Sequence, residues 1–171
     1  NLSRPGVEQN LNWPKQDHGR RVHHLPADIR DLDAIRSAFP GAKAVFHLAA
    51  QTAVTTSLQN PVGDFEVNAR GTLNVLEAVR AAGGRIPVIF ASTNKVYGAL
   101  EDLEMIELED RYVPAALEVR QRGIGEQRKL SFCTPYGCSK GVADQYVLDY
   151  AESYGIPTAV LRMSCIYGPR Q

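Results

Sequence analysis

Three strand-length apolar runs constrain what this chain can fold into more than any other feature. They are Ala44-Val45-Phe46-His47-Leu48-Ala49-Ala50, Ile86 to Ala91, and Pro157 to Met163. Each is bounded by polar or Gly/Pro-containing stretches, and each is separated from the next by enough residues to hold a helix. Crossovers of that length suit parallel pairing with right-handed connections, so the pattern predicts a doubly wound α/β sheet. In such sheets ligands gather beyond the carboxyl ends of the strands. The residues expected there are small or hydroxylated: Ala49-Ala50, Ser92-Thr93 and Ser164. A fourth strand is expected over Arg21 to Leu25, with Val22 and Leu25 as its aliphatics, which would set Asp28 at a strand tip.

The intervening segments read mostly as helices. Asp31 or a neighbour can cap a helix over Leu32 to Phe39, which Pro40-Gly41 stops. Phe65, Ala69, Leu73, Leu76 and Val79 recur near the helical period across Asp64 to Ala82, and Gly83-Gly84 ends that segment. Asn68 lies inside it, and an asparagine there is ordinarily a polar side chain facing solvent. Asn1 to Trp13 lacks periodicity and carries Pro5 and Gly6, so it reads as a loop. Residues 99–132 are polar, acidic then basic, and read either as a long active-site insertion or as a surface loop.

After that insertion, Pro135 suits a first helical position with Thr134 as its cap, leading into the apolar-periodic segment Gly141 to Tyr154. Tyr136 and Lys140 then fall one turn apart on one face. A phenol titrates near ~10, and a neighbouring ammonium favours the phenolate, making tyrosine a workable proton acceptor. Alone, such a pair more often means an ordinary aromatic beside a solvated lysine.

With 171 residues, 44% of them hydrophobic, the chain can bury one real core. Nineteen basic and nineteen acidic residues give zero net charge, which implies no bulk attraction to nucleic acid or to an anionic membrane surface. Cys133, Cys138 and Cys165 follow no zinc-binding spacing and have no clustered histidines, so no metal is expected. A reducing, cytoplasmic setting fits them. The apolar runs fall well short of the ~20 residues a membrane helix needs, and no secretory leader is recognisable.

Taken together, Asp28-Ile29, His47-Leu48-Ala49-Ala50, Asn68 with Gly71-Thr72, Ser92-Thr93-x-x-Val96-Tyr97-Gly98 and Tyr136-x-x-x-Lys140 resemble the extended short-chain dehydrogenase/reductase family of NAD-dependent nucleotide-sugar epimerases and dehydratases. A narrower likeness lies in Asn94-Lys95, Arg122-Gly123-Ile124, Gly137-Cys138 and Ala143-Asp144-Gln145-Tyr146. It points to the branch that acts on a CDP-linked dideoxyhexose.

The resemblance implies a Rossmann-like fold, NAD as cofactor and a nucleotide-sugar substrate. It implies that Tyr136 is the acid/base, that Lys140 lowers its pKa and holds the nicotinamide ribose, and that Thr93 hydrogen-bonds the reacting hydroxyl. Asp28 and Ile29 would border the adenine. Leu48, Ala49 and Ala50 would let the backbone pass close to the cofactor, Asn68 would position that region, and Ser92 and Ser164 would lie near the nicotinamide. A homo-oligomer is expected of the complete enzyme.

The family's glycine-rich pyrophosphate turn is absent before Arg21, and so is the smaller carboxyl-terminal domain. Residues 1–171 are therefore expected to be a partial NAD-binding domain, lacking its first strand-turn-helix. It would bind NAD poorly and turn nothing over by itself. Cys165 stands where many relatives carry a substrate-contacting asparagine. Asn94 and Lys95 stand where the related 4,6-dehydratases place an acid and a carboxylate base, which disfavours elimination. The competing readings are a UDP-glucose 4-epimerase, a 4,6-dehydratase, and a noncatalytic dinucleotide-binding module.

Overall fold

In a computed structural model of the chain, residues 1–4 and 6–168 are described. Strands β1 (Val45–His47), β2 (Val88–Thr93) and β5 (Thr158–Met163) form a parallel sheet in the order β1-β2-β5. Val45 sits opposite Val88, Val88 opposite Thr158, and Thr93 opposite Met163, so the carboxyl ends of β2 and β5 are level. β3 (Met105–Glu107) and β4 (Tyr112–Pro114) make a separate antiparallel hairpin.

A layer of helices covers one sheet face. It comprises α2 (Leu32–Arg36), α5 (Gly71–Ala81) and α7 (Thr134–Tyr154), with α5 packed between α2 and α7. Leu76 and Val79 of α5, Ala143 and Val147 of α7, and Val88 and Phe90 of β2 form the fully buried centre of the core. Their helical spacing on α5 and α7 puts them in one stripe each, while the alternation of β2 aims Val88 and Phe90 at the same side.

The opposite face is bare among the described residues. Phe46, Ile89 and Ala159 lie side by side on it, with Ala91 and Leu161 in the next row. Phe46 is 66% exposed and Leu161 47%. The expected double winding is thus present on one side only.

Other expectations need correction. Arg21 to Leu25 is not a strand: Gly19–Arg21 is a 3₁₀ turn, and Val22 is extended (φ −101°, ψ 111°) but pairs with no strand among the described residues. Asp28 therefore sits in a loop rather than at a strand tip. Asn1 to Trp13 is not all loop, because α1 runs over Val7–His18. Glu8 in its first turn and Lys15 and His18 in its last complement the helix dipole, although none of its residues is buried.

The helix expected over Asp64 to Ala82 is in three parts: α4 (Pro61–Phe65), a π turn (Glu66–Arg70) and α5. Before it, α3 spans Val54–Gln59. The π turn adds a residue to the helical repeat and rotates Asn68 inward, where it is 1% exposed instead of facing solvent. Residues 99–132 hold the β3-β4 hairpin and α6 (Leu117–Arg122), with an ion pair between Arg128 and Asp102.

The neck of that insertion is narrow. Ser131 N–H donates to Val96 O at 2.9 Å. Gly98 has φ +74°, and a Cβ there would strike the Ser131 carbonyl oxygen, so only glycine fits this close approach. Phe132 then lies against Gly141 of α7, where a Cβ would run into its ring.

Candidate active site

Tyr136 and Lys140 lie one turn apart on α7, and both are buried. Pro135 occupies the first turn, and Thr134 Oγ1 accepts from Gly137 N–H at 3.3 Å, satisfying one of the helix's orphan donors. Thr134 reaches that position with φ +63°, an uncomfortable conformation for a β-branched residue. Tyr136 N–H donates to Ser57 Oγ at 3.2 Å, which ties the start of α7 to α3.

From β2, Thr93 is delivered to the same end of the sheet, close enough that its hydroxyl acts on the Tyr136 phenol, while its Oγ1 donates to Asn94 Oδ1 at 3.4 Å. Thr93 Oγ1 also accepts from Lys95 N–H at 3.3 Å and caps the 3₁₀ turn Asn94–Tyr97. The sheet's carboxyl edge thus brings together a phenol, a hydroxyl and an ammonium.

The electrostatics differ from expectation. Burial raises Tyr136 above the ordinary phenol range, the nearby Thr93 hydroxyl pulls it down, and the charge of Asp64 pushes it up again. The anticipated lowering by Lys140 does not govern this arrangement. Lys140 Nζ instead donates to Ala91 O at 2.5 Å and stands 4.2 Å from the centre of the Phe90 ring. One turn of helix does put the two side chains on one face, but the long lysine stem reaches across to the strand. Burial lowers Lys140 to about 8, opposed by the negative charges of Asp144 and Asp64.

Asn68 is a hub. Its Oδ1 accepts from Gln51 N–H at 2.9 Å and its Nδ2 donates to Gln51 O at 3.0 Å, holding the segment just beyond Leu48-Ala49-Ala50. Its Nδ2 also lies 3.2 Å from Asp64 Oδ1 and 3.1 Å from Ser139 Oγ. Thr72 Oγ1 donates to Asn68 O at 2.6 Å, which spends its only proton, so the 2.8 Å contact with His47 Nε2 is an N–H donated by the imidazole. Burial, then the charge of Lys140, lowers His47 to about 4.

The remaining expected residues are placed less uniformly. Leu48 and Ala49 are exposed and Ala50 half-buried past the end of β1, an open strip of small and aliphatic surface. Ile29 packs on Gly71, where an added Cβ would be only 2.8 Å from Ile29 Cγ1. Asp28 is already engaged: Arg30 Nε and Nη2 each donate to it at 2.8 Å and Asn1 Nδ2 at 2.5 Å, and the Arg30 bonds hold its carboxyl far below the usual range. Ser92 turns into the core and donates to Asp144 Oδ2 at 2.7 Å, so its hydroxyl is spent inside the fold rather than offered at the edge. Ser164 is exposed beyond β5.

Sequence reasoning missed Asp64, Ser139, Asp144 and Arg162, all of which bear on this site. Arg162 pairs with Asp144 through Nε at 3.0 Å and Nη2 at 2.8 Å, and donates from Nη1 to Tyr97 OH at 2.9 Å. Asp144 follows Lys140 by four residues on the stripe that also holds Ala143 and Val147, and that spacing was the available signal. Among the described residues no cluster suitable for a metal ion exists, and no helix is long and apolar enough to cross a membrane.

The donor set suits the nicotinamide-ribose end of NAD: an ammonium with a carbonyl partner, a phenol and a hydroxyl at one strand edge, beside the open strip at 48–50. For the pyrophosphate, the described residues hold no glycine-rich turn between a strand and a helix. The fit is to half of the cofactor.

Residues 3–171 match the model of the NAD dependent epimerase/dehydratase family. The CDP-paratose 2-epimerase of Salmonella typhi is 45% identical over 100% of this chain and 50% of its own length. The crystal structure of the Thermus thermophilus UDP-glucose 4-epimerase complex with NAD superposes with a TM-score of 0.71 at 32% identity, covering 92% of this chain and 45% of that one. A Streptomyces venezuelae dTDP-glucose 4,6-dehydratase with NAD bound gives 0.76 at 27% identity, over 96% and 44%. The chain spans about half the length of the curated relatives it matches. On its sequence, its sheet and the placement of Thr93, Tyr136 and Lys140, the chain belongs to the NAD-dependent epimerase/dehydratase family, whose cofactor is NAD.

Proposed function

We propose that this chain is the NAD-binding part of a nucleotide-sugar epimerase, and that the sugar is a CDP-linked dideoxyhexose inverted at carbon 2. The observation that carries the reading is that Thr93 is buried at the carboxyl end of β2 while Tyr136 and Lys140, one turn apart on α7, are buried against it, with Lys140 bonded to Ala91 of that strand. NAD, when bound, supplies the hydride acceptor, a positive charge that favours the phenolate, and the hydride that returns to the other face of the sugar. Tyr136 takes the proton of the sugar hydroxyl and gives it back. Thr93 donates to that oxygen as charge develops, which stabilises the transition state electrostatically. Lys140 holds the nicotinamide ribose, Asp28 and Ile29 border the adenine, and the strip at 48–50 lets the cofactor pass close to the backbone.

Residues 99–132 serve as the active-site insertion, since their neck joins Gly98 to Phe132 directly beside α7. Elimination is disfavoured because Thr93 is followed by Asn94 and an exposed Lys95, with no carboxylate in that turn. The carbon-2 assignment draws on likeness to the Salmonella enzyme, since the geometry of hydride transfer does not distinguish carbon 2 from carbon 4.

The test offers CDP-paratose and UDP-glucose separately, with NAD, to a version of the protein as long as its relatives, and follows both carbons by NMR. Inversion at carbon 2 is expected. Interconversion of UDP-glucose and UDP-galactose alone would make it a 4-epimerase. In the same assay Tyr136→Phe should cut turnover by roughly 10²–10⁴-fold with cofactor affinity nearly intact; near-normal turnover would sink the acid/base role.

A further inference from the structure

We propose that Ser57 is a positioning residue for Tyr136: from a different helix, its buried hydroxyl holds the Tyr136 main chain and so sets where the phenol stands. The contact joins residues 79 apart in sequence, with Ser57 Oγ accepting from Tyr136 N–H at 3.2 Å. Ser57 is 0% exposed, which leaves its hydroxyl to partners inside the fold. Its single proton goes to Val54 O at 2.7 Å, so towards α7 it can only accept.

A helix start needs no such outside help. Its first N–H groups are ordinarily satisfied by the side chain of the residue just before it. Here that residue is Cys133, extended (φ −128°, ψ 149°) as a cap residue should be, yet its side chain makes no cap bond. Pro135 has no N–H, and Thr134 Oγ1 takes that of Gly137. The N–H of Tyr136 is handed to α3 instead.

The attachments of α3 give this contact its meaning. Asn68 grips Gln51 by its N–H and its carbonyl. The Gln51 side chain in turn closes on Ala53 at the start of α3, donating to Ala53 O at 2.8 Å and accepting from Ala53 N–H at 2.5 Å. A continuous run of hydrogen bonds thus leads from the end of the strip at 48–50, through Gln51 and α3, to the peptide nitrogen of Tyr136. A second anchor lies one residue before Lys140, where Ser139 donates to Asp64 Oδ2 and accepts from Asn68 Nδ2 at 3.1 Å. The turn that carries Tyr136 is therefore fixed at both ends. The effect of Ser57 on turnover rests on the proposed acid/base role of Tyr136; its effect on the position of the ring does not.

Two readouts test this. In the chain labelled with ¹³C-tyrosine, the Tyr136 ring signal is the one lost in Tyr136→Phe. It should show an NOE to the Thr93 methyl group, and Ser57→Ala should lose that NOE. In a version as long as the relatives, Ser57→Ala should lower kcat roughly 10–100-fold, since a small misplacement of a reacting group costs that much. KM for the sugar and the affinity for NAD should stay within about twofold, because Ser57 touches neither.

Cys133→Ser separates positioning from the mere satisfaction of a donor. It places a hydroxyl at the cap, within reach of Tyr136 N–H, and alone should leave kcat unchanged. Added to Ser57→Ala, it should restore the melting temperature, because the N–H again has a partner. The NOE and kcat should stay low, because that partner moves with α7 and does not tie it to α3.

A folded Ser57→Ala protein with NOE and kcat intact would overturn the proposal, as would recovery of both on adding Cys133→Ser. If Ser57→Ala does not fold, Ser57→Cys, similar in size but a weaker acceptor, decides by the same criteria. Failure of the acid/base reading looks different: Tyr136→Phe would keep near-normal turnover while Ser57→Ala still moved the ring.

Discussion

Phe90 and Phe46 are the same residue on neighbouring parallel strands, yet one is 1% exposed and the other 66%. The difference is the face each side chain takes. Phe90 points with Val88 into the layer of α5 and α7, whereas Phe46 lies with Ile89 and Leu161 on the side that no described helix covers. Parallel sheets are ordinarily covered on both faces, and their strands read as continuous apolar runs for that reason. The bare face keeps the composition of a covered one. Residue type therefore specifies the architecture a strand is made for, while burial depends on what is packed against it. All of the polar groups that converge on Thr93, Tyr136 and Lys140 from α4, α7 and β5 approach from the covered side or from the carboxyl edge.

The sharpest way to break this comparison is to truncate both phenylalanines. Phe90→Ala should cost about 3–5 kcal/mol in urea unfolding, the usual range for a buried aromatic, and Phe46→Ala less than about 0.5 kcal/mol. Equal costs would show that the bare face is covered in solution.

A second comparison uses pH on the covered face alone. His47 titrates near 4 in the fold and near 6.5 when unfolded, so between those values the unfolded chain binds more protons and stability rises with pH. The contribution is complete above pH 6.5 and is lost as pH falls toward 4, on the order of 3 kcal/mol in all. Unfolding measured at pH 4.5 and 6.5 should show a difference that shrinks in His47→Gln. An unchanged slope would mean His47 is not buried as a neutral ring.

The smallest effect is expected on the bare side. Phe46→Lys combined with Leu161→Lys should reduce binding of a hydrophobic dye while shifting stability by no more than about 0.5 kcal/mol. Strong destabilisation would mean these side chains are already packed.

What could be read from the sequence was what is locally determined. The three apolar runs locate β1, β2 and β5, and the Tyr136-Lys140 spacing puts both side chains on one face, because strand and helix periodicities act over a few residues. What could not be read depended on distant packing. Arg21 to Leu25 has the composition of a strand but no strand to pair with among the described residues. Asn68 looks like a surface residue until the π turn rotates it toward Gln51. Asp64 and Asp144 look like solvated charges, since nothing local shows that Ser139 and Ser92 will reach them. Spacing and resemblance both set Lys140 beside Tyr136, but the carbonyl that it meets, Ala91, is 49 residues away.

The pinched neck of residues 99–132 has a consequence for how such a chain can change. Gly98, Ser131 and Phe132 close the excursion on itself before it touches α7, so the hairpin and α6 hang from a fixed pair of anchor points. Closing a longer loop costs little more than closing a short one, about 0.6 kcal/mol for each doubling of length. The excursion is thus an exchangeable cassette: it can be lengthened, shortened or rewritten while β2 and the start of α7 stay as they are.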